Sequence, residues 1–327
     1  MADPNVGQVA AVAWEAMVSD GPVDNIFSSQ GLLYLLNEEG FKESVSGGRL
    51  FEFSIEYAIN STFKSYGETD QLDTTRVDVF DAARYSQKIF AGTIQFTDLE
   101  LARNQEPGRK FDVLEKKLEN GRKSAAEQLN AMLYKDGTGN ASLDMDGLAR
   151  IIPDDPTLGT VGGIAPSFTF WRSRSVNGVK TATAYDNLIP AMTTCVNLCT
   201  LGGVDAYPTG IVMDRATFEA YEASLVKIER LVRNDGQGAT GGDIGFLARA
   251  LEFKGIPAIY DELCTAQHVF VLNNRFLKLL YLKGAWMRMK DPIEPGDRLT
   301  ASYRVYTFGN LTASARRHLG VVYNTAT

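Results

Sequence analysis

Histidine and cysteine are scarce in this chain of 327 residues, which contains two histidines and three cysteines. Zinc sites and histidine-based catalytic triads need several partners at suitable spacing, and no cluster of such residues surrounds His268 or His318. Three cysteines cannot all pair with one another, and Cys195, Cys199 and Cys264 stand among apolar residues. We therefore predict structural histidines and reduced, packed thiols of a cytosolic product, with no metal site.

Positive charge and long apolar runs are also in short supply. Lysine and arginine number 33 against 40 acidic residues, so the net charge is -7 and the pI is about 5.1. A chain-wide cationic surface for gripping nucleic-acid phosphates is therefore absent. No apolar run approaches the roughly 20 residues of a membrane span. The start MADPNVGQVAAVAWEAM lacks the basic beginning and apolar core of a secretory signal. We expect a non-secreted protein of about two domains.

One glycine motif needs to be weighed as a nucleotide site. Gly236, Gly238 and Gly241 spell G-x-G-x-x-G, and Asp261 follows twenty residues later. A dinucleotide fingerprint needs a buried strand immediately before the glycines, whereas the preceding EASLVKIERLVRND is helical and charged. A glycine loop is therefore favoured over a nucleotide site. The chain also lacks a Gly-Lys-Ser/Thr phosphate loop and a G-x-S-x-G elbow, so we assign no catalytic or cofactor-binding residues and do not expect an enzyme.

Two smaller clusters have plain structural interpretations. Asp136, Asp144 and Asp146 suggest a calcium loop, but their spacing departs from that of an EF-hand, so a structural turn is favoured. Arg316 and Arg317 form the densest basic pair. A solvated face or salt links between subunits explain this pair better than a phosphate patch in an acidic chain.

A long amphipathic helix with a sharp stop is the most prominent element of the sequence. Its apolar residues recur every three or four positions or at a double turn, which predicts a helix from about 108 to 135. The glycine-rich DGTGN stretch ends it, because Gly137 and Gly139 can adopt left-handed backbone. We interpret the helix as a structural spine. Its apolar stripe comprises Phe111, Leu114, Leu118, Ala125, Leu129 and Met132.

Before the spine, the pattern changes to that of β-strands. Phe51, Phe53, Ile55, Tyr57 and Ile59 alternate with more polar residues, which is typical of a strand with one apolar face. A second β-like run covers residues 84–96, and the polar stretch between the runs is too long for a tight turn. The pattern predicts a long two-stranded ribbon with a mobile tip. Because an isolated ribbon is marginally stable, its apolar face should lie on another surface, which in a self-associating protein belongs to the next subunit.

The remaining segments form an arm and an α/β module. Residues 1–48 carry two apolar clusters that are too small for a core of their own. After the Pro/Gly-rich boundary PDDPTLGTVGGIAP, helices at 186–200 and in ATFEAYEASLVKIERLVR interleave with strands in PTGIVMD, IPAIYD and HVFVLN. Strands that alternate with helices indicate an α/β module. The tail from about residue 298 returns to β-like alternation. The fold class is therefore mixed α+β.

The order of these parts resembles the major capsid protein of tailed bacteriophages, with the fold named after phage Hong Kong 97. The likeness rests on the ribbon, on a spine ending in LYKDGTGN, and on the phrases PTGIVMDRATFEAYE, FKGIPAIYDE, HVFVLNNRFLKLLYL and GNLTASARRHLGVVYN. It covers about residues 45–327. By this resemblance, 1–48 is the N-terminal arm and 49–97 the extended loop. Residues 98–150 and 286–327 form the peripheral domain, and 151–285 form the axial domain.

The resemblance also implies a function. The chain would assemble with itself into pentamers and hexamers of an icosahedral head around double-stranded DNA, without sequence-specific binding. A scaffolding protein, a portal and a decoration protein are the implied partners, and the virion, assembled in the host cytoplasm, is the implied location. An encapsulin-like nanocompartment, which shares the fold but encloses enzymes, is the first alternative. A nucleotide-binding enzyme that uses the 236–241 loop is a remote one.

The residues that we predict to govern assembly lie on the ribbon and on the spine. The ribbon would bury its face on the spine region of a neighbour, and the DGTGN turn would set the angle between the two domains. The predicted positions are Phe51, Phe53, Ile55, Tyr57, Leu118, Leu129, Gly137 and Gly139.

Overall fold

The computed structural model describes residues 31–38, 40–99, 107–178, 185–201, 206–227, 251–293 and 299–325. Predictions for residues 1–30 of the arm and for the glycine loop at 236–241 lie outside the described residues. The helices are α1 (Gly31–Glu38), α2 (Pro107–Tyr134), α3 (Leu148–Ile151), α4 (Tyr185–Cys199) and α5 (Arg215–Lys227). Short 3-10 turns cover Thr169–Trp171 and Arg316–His318, and a four-residue helical turn with left-handed residues covers Gly139–Ser142.

The strands number thirteen within the described residues. They are β1 (Lys42–Val45), β2 (Leu50–Glu56), β3 (Phe80–Ser86), β4 (Lys88–Thr97), β5 (Arg174–Asn177), β6 (Gly210–Met213), β7 (Leu251–Phe253), β8 (Ile256–Tyr260), β9 (Val269–Leu272), β10 (Leu277–Leu282), β11 (Arg288–Ile293), β12 (Thr300–Ala313) and β13 (Gly320–Tyr323).

The spine helix α2 confirms the predicted position within one residue at each end. Its 28 residues span about 42 Å at ~1.5 Å per residue. Leu118 and Leu129 are fully buried, and Glu119 forms an ion pair with Lys123, four residues later, at 2.7 Å. Ala126 and Leu133 are also buried, whereas two stripe members, Ala125 and Met132, are half-buried, so the buried face is rotated slightly. The side chains of residues 107–116 lie outside the described part.

A long sheet lies against the spine. Its strand order is β1-β10-β12-β11, and β4 pairs with β12 as a fifth strand. The first half of β12 alternates, with Tyr303 and Val305 buried in the core that contains Leu118 and Leu129 and with Arg304 exposed on the other face. This period-2 pattern is the one expected of a sheet with one covered face.

A second sheet of six strands has the order β5-β13-β9-β6-β8-β7. Both of its faces are covered, which explains why β6 and β9 are apolar and buried at every position. Ile211 and Met213 pack with α4 and α5 on one side, while Val212 joins the spine core on the other. The predicted helices and strands of the α/β module are confirmed where they are described.

The predicted ribbon is confirmed only in its first half. β2 pairs with β3 in antiparallel register, from Leu50 opposite Ser86 to Glu56 opposite Phe80. After Gln87, however, β4 leaves this pair and runs beside β12 for ten residue pairs. The second run is therefore two strands with different partners, because alternation defines a face but not the neighbouring strand.

Sheet membership does not follow the boundary predicted between residues 285 and 286. β10 lies before it and joins the long sheet, whereas β13 lies after it and joins the six-stranded sheet. The chain thus crosses between the two sheets twice near its end. One apolar cluster contains residues from both sheets and from α1 and α2, so the peripheral and axial regions share a continuous core.

Candidate functional site

The base of the ribbon is buried by its own chain. Phe51 is 2% exposed and Ile55 is 8% exposed, and both pack in a cluster with Val161, Ile164 and Trp171. The expectation that this face lies on a neighbouring subunit is therefore wrong for these two side chains. Val161 and Ile164 belong to the segment that the sequence analysis interprets as a boundary, and Trp171 lies five residues beyond its end; together they supply the apolar surface.

The other two predicted ribbon residues are partly covered by aromatic rings. Phe53 is half-buried and meets Tyr85 edge to face, with ring centroids 6.2 Å apart. Tyr57 is 37% exposed and stacks on Phe170 at 5.1 Å. The first contact joins β2 to β3, and the second joins the end of β2 to the 3-10 turn Thr169–Trp171 of the same chain and leaves part of Tyr57 accessible to a partner.

The tip of the ribbon exposes large apolar side chains. Ile59 is 92% exposed and Phe63 is 86% exposed, and Leu72 and Phe80 are exposed by 66% and 69%. Residues 57–79, between β2 and β3, contain no regular strand or helix. We call residues 57–81, which add the first two residues of β3, the tip loop. Such a concentration of exposed apolar groups is typical of an interaction surface.

Hydrogen bonds within the tip loop shape it. The carboxylate of Asp73 accepts bonds from Thr75 N at 3.1 Å and from Lys64 Nζ at 3.2 Å. Hydrogen bonds from Thr75, followed by the one from Lys64, lower the pKa of Asp73 to about 2. Tyr66 accepts a bond from Asp73 N and donates to Thr62 O. The loop therefore presents its apolar residues from a hydrogen-bonded turn.

The turn after the spine holds both predicted glycines. Gly137 has φ of +72°, as expected, and a Cβ there would lie 2.9 Å from Asp146 Oδ1. Gly139 keeps negative φ but packs so closely on Asp144 that a Cβ would collide with its carboxylate. Gly137 is thus required for backbone conformation and Gly139 for space.

A third glycine, Gly147, was not singled out by the sequence analysis. A Cβ at this position would lie 2.6 Å from Met132 O and 2.7 Å from Leu133 O, which are backbone atoms of the spine. Its φ is -118°, so left-handed backbone is not the reason for the glycine. The chain after the turn therefore packs directly on the end of α2. A Gly beside a hydrophobic run is the only sequence signal for this contact.

Asp261 forms the junction of three elements. Its Oδ2 accepts hydrogen bonds from Leu32 N at 3.0 Å, Asn130 Nδ2 at 2.8 Å and Tyr134 OH at 3.0 Å, and its Oδ1 accepts one from Leu263 N at 2.9 Å. The residue is 4% exposed and follows β8 directly. It joins the arm helix α1, the spine and the six-stranded sheet. Sequence reasoning considered Asp261 only as part of a dinucleotide fingerprint that it did not favour, and these four bonds give the carboxylate a structural role instead.

The remaining candidate residues behave as structural groups. Cys195, Cys199 and Cys264 are free and buried, and the pKa of the Cys264 thiol is raised well above its usual value by burial. His318 donates a hydrogen bond from Nδ1 to Cys199 O at 2.9 Å, and its pKa is lowered, mainly by burial. His268 pairs with Asp154 at 2.9 Å. No group of three or more potential metal ligands occurs among the described residues.

The prediction that Arg316 and Arg317 form a solvated basic pair is wrong for Arg316. Its side chain is fully buried, its Nε donates to Ile151 O at 2.7 Å, and burial lowers its pKa to about 10. Arg317 beside it lies on the surface. At Asp146 the contacts agree with the structural turn that was favoured over a calcium loop, because its carboxylate accepts a hydrogen bond from Asn310 Nδ2 at 2.7 Å and pairs with Arg150 at 3.1 Å. No described helix is long and apolar enough to cross a membrane.

A groove separates β4 from the spine. It encloses about 750 Å³ and is lined mainly by apolar atoms, with Phe90, Ile94, Lys117 and Ala125 among its walls. A Cβ at Gly121, on the spine, would touch Ile94 Cδ1. The helix and the strand are therefore in contact at this glycine, and the groove opens beside it.

Comparisons with known proteins agree on the fold. No family model and no curated protein sequence matches the chain. Among solved structures, the capsid subunit of Cyanophage A-1(L) is 15% identical, covers 89% of this chain and 92% of its own, and has a TM-score of 0.61. The capsid of Myoviridae Phage XM1 is 10% identical, with coverages of 88% and 91% and a TM-score of 0.56.

An encapsulin has a similar fold. The holo-SrpI encapsulin complex from Synechococcus elongatus PCC 7942 is 11% identical, covers 89% of this chain and 86% of its own, and has a TM-score of 0.56. The mixed helix and sheet architecture of this chain therefore matches these subunits over most of both chains. The chain has the Hong Kong 97-like fold of tailed-bacteriophage major capsid proteins.

Proposed function

We propose that this chain is a major capsid protein, a structural subunit without a catalytic role, which assembles into the pentamers and hexamers of an icosahedral phage head. The observation that carries the proposal is the tip loop, where Ile59 and Phe63 are 92% and 86% exposed on a fold shared with capsid subunits. A monomer that remained alone would keep these side chains in water. In a closed shell, each loop is covered by a neighbour.

The shape of the subunit supports repeated association. A ribbon that reaches out from the body on one side, and meets a different surface on the neighbour, makes a heterologous contact. Rotation about a five-fold or quasi-six-fold axis closes such contacts into rings. The shared core of the two sheets and the spine gives each copy a rigid body to which the loop is attached.

The contents of the shell and its partners follow from the same proposal. We expect double-stranded DNA inside, since a net charge of -7 gives a wall that does not bind phosphates tightly and so does not hinder packaging. A scaffolding protein, a portal and a decoration protein are the expected partners. Assembly takes place in the host cytoplasm, and the product is the virion shell.

Electron microscopy of the purified protein, together with light scattering, tests the proposal. Particles tens of nanometres across are expected, whereas a uniform monomer near 35.8 kDa would overturn it. A paired variant, Ile59→Asp with Phe63→Asp, should stay a folded monomer, because both side chains are exposed in the subunit. Leu143→Asp with Leu158→Asp is the matched control, since these leucines are 62% and 64% exposed but lie outside the ribbon.

An encapsulin-like nanocompartment is the second candidate, favoured by the likeness to the SrpI complex. Nuclease-protected DNA in particles recovered from the native source supports a phage head. Protein cargo without DNA supports the nanocompartment. The remote alternative, an enzyme that binds a nucleotide at 236–241, predicts a thermal shift with NAD or ATP, and no shift would remove it.

A further inference from the structure

The tip loop folds around one tyrosine. Within residues 59–76 only Thr62, Tyr66 and Asp73 are partly covered, and every other residue of this stretch is exposed. Thr62 and Tyr66 lie on the outgoing side of the loop, which leaves β2, and Asp73 lies on the returning side, which leads to β3. The hydroxyl of Tyr66 donates to Thr62 O at 2.9 Å and accepts from Asp73 N at 3.0 Å. One hydroxyl group therefore fastens the two sides of the loop to each other.

Short-range bonds shape separate parts of the loop. Asn60 Oδ1 accepts from the N–H of Thr62 at 3.0 Å and from its hydroxyl at 2.8 Å. Asp70 Oδ2 accepts from Gly67 N at 2.6 Å, and Asp70 N donates to Gly67 O at 3.2 Å. Asn and Asp side chains commonly stabilise turns in this way. These bonds span only two or three residues, so they do not set the distance between the two sides of the loop.

An ion pair also crosses between the two sides. Lys64 Nζ lies 3.2 Å from Asp73 Oδ2 and 5.5 Å from the centre of the Tyr66 ring. The two paired side chains are 55% and 31% exposed. Exposed ion pairs contribute little to stability, because water screens them and the side chains lose freedom. The Tyr66 hydroxyl is therefore the stronger of these links.

The same hydroxyl determines where two exposed apolar side chains stand. Thr62 O belongs to the peptide group between Thr62 and Phe63, and Asp73 N belongs to the peptide group between Leu72 and Asp73. Phe63 is 86% exposed and Leu72 is 66% exposed. Because Tyr66 binds both peptide groups, it fixes the position of Phe63 relative to Leu72.

We propose that Tyr66 is a positioning residue for self-assembly, which holds Phe63 and Leu72 as one preformed apolar surface for a second copy of the chain. The inference rests on the proposed self-assembly and adds that the tip loop has its binding shape before contact, in contrast to the mobile tip expected from the sequence. A segment that becomes ordered only on contact loses conformational entropy during binding. A loop that is ordered in advance avoids this loss, so the same apolar surface binds more tightly.

Hydrogen exchange of the free subunit tests whether the shape exists before contact. The wild type is measured below the concentration at which particles form. Its Asp73 N–H should exchange roughly tenfold more slowly than in Tyr66→Phe, which keeps the ring and loses both bonds, since about one neutral hydrogen bond corresponds to a factor of this size. Tyr207→Phe, which removes a bond from the Tyr207 hydroxyl to Lys254 O outside the ribbon, is the matched control and should leave the exchange of Asp73 unchanged.

Assembly tests the positioning role. The lowest protein concentration that gives particles in light scattering should rise roughly tenfold in Tyr66→Phe. The midpoint of thermal unfolding of the subunit should stay at the wild-type value, because residues 57–81 lie outside the three apolar clusters. Lys64→Met, which removes only the exposed ion pair, should change the assembly concentration by less than about threefold. Tyr207→Phe should assemble like the wild type.

The outcomes keep this inference apart from the proposed function. A wild type that forms no particles would refute the shell, while the exchange of Asp73 would still decide whether the loop is preformed. Equal exchange of Asp73 in the wild type and in Tyr66→Phe would overturn the preformed loop. If the wild type assembles, a Tyr66→Phe variant that assembles at the same concentration would overturn the positioning role. A lower unfolding midpoint in Tyr66→Phe would assign the residue to the stability of the subunit instead.

Discussion

Replacing Asp261 with Asn should weaken the junction between the arm helix, the spine and the six-stranded sheet. The carboxylate accepts four hydrogen bonds in a site that is 4% exposed. Asn has nearly the same shape but only one acceptor oxygen. If the oxygen of the substituted Asn faces the donors of Leu32, Asn130 and Tyr134, its NH₂ group faces the N–H of Leu263, and two donors meet. In the opposite orientation the NH₂ group faces the other three donors.

The better orientation sets the magnitude. It keeps three bonds as neutral ones, which are roughly half as strong as those to a carboxylate, and leaves one donor without a partner at a cost of about 1–3 kcal/mol. Relief from burying a charge offsets part of this loss. We expect Asp261→Asn to lower the free energy of unfolding by about 2 kcal/mol. Asp261→Leu, which removes all acceptors, should cost more than about 4 kcal/mol.

Urea denaturation of the soluble subunit measures both values, with Asp214→Asn as the control. Asp214 is also buried, but it accepts bonds from Thr217 three residues on, at the start of α5. Asn is as good a helix cap as Asp, so this change should cost less than about 0.5 kcal/mol. An Asp261→Asn subunit as stable as the wild type, or an Asp261→Leu subunit no weaker than Asp261→Asn, would refute the junction.

Three further predictions concern the spine, its turn and the edge of the long sheet. Leu118→Asp or Leu129→Asp should abolish soluble assembly and lower the free energy of unfolding by more than about 4 kcal/mol, because each side chain is fully buried. Gel filtration and circular dichroism would show the loss of assembly and of folded structure. Normal particles from either variant would contradict the prediction. Gly137→Ala should lower the free energy of unfolding by about 1–2 kcal/mol for its φ of +72° and disturb particle geometry in micrographs while the subunit stays largely folded. Lys42, whose Nζ lies 4.0 Å from the Trp286 ring, has its pKa lowered from 10.5 to about 8 by burial. Between pH 8 and 10.5 the unfolded chain therefore binds more protons at Lys42 than the folded chain does. The free energy of unfolding of the wild type, measured relative to Lys42→Met, should rise over this range by up to about 3 kcal/mol. Parallel pH profiles of the two proteins would contradict this prediction.

Local patterns predicted the elements well, because each depends on neighbours a few residues away. Spacing of three and four residues placed the spine, and alternation placed β2 and the first half of β12. Alternation could not show that the strand pairing changes partner at Gln87, since a strand with one apolar face pairs equally well with several neighbours. The ribbon face was likewise assigned to another subunit because an isolated ribbon is marginally stable, and nothing in the sequence pairs it with Val161, Ile164 and Trp171 of the same chain.

Contacts between distant residues were beyond the reach of the sequence. Asp261 bonds to Leu32, which is 229 positions away in the sequence, and to Tyr134, which is 127 positions away. A single polar residue after a strand does not indicate which distant residues it will contact. Gly147 packs on backbone oxygens of the spine, where only a three-dimensional approach makes a side chain impossible. Arg316 looked like a surface charge because arginine is seldom buried completely.

The structure also changes which part of the chain has to adjust when identical copies occupy different positions in a shell. The predicted hinge was the DGTGN turn. Yet Gly147 holds the chain against the end of the spine, Asn310 ties the same segment to β12 through Asp146, and Asp261 fixes the spine to the six-stranded sheet. A change of angle there would break buried hydrogen bonds and close packing together. Between β3 and β4, by contrast, only Gln87 intervenes, and its amide bonds Gly48 O on the surface at 2.7 Å. Rotation of the ribbon at this point breaks this exposed hydrogen bond, the contacts of the ribbon base on the 161–171 segment, and two bonds between β3 and β12, from Tyr85 OH to Ala313 O and from Asn310 Nδ2 to Ser86 O. The difference between pentamer and hexamer positions is therefore expected to lie in the ribbon, while the spine and the two sheets move as one body.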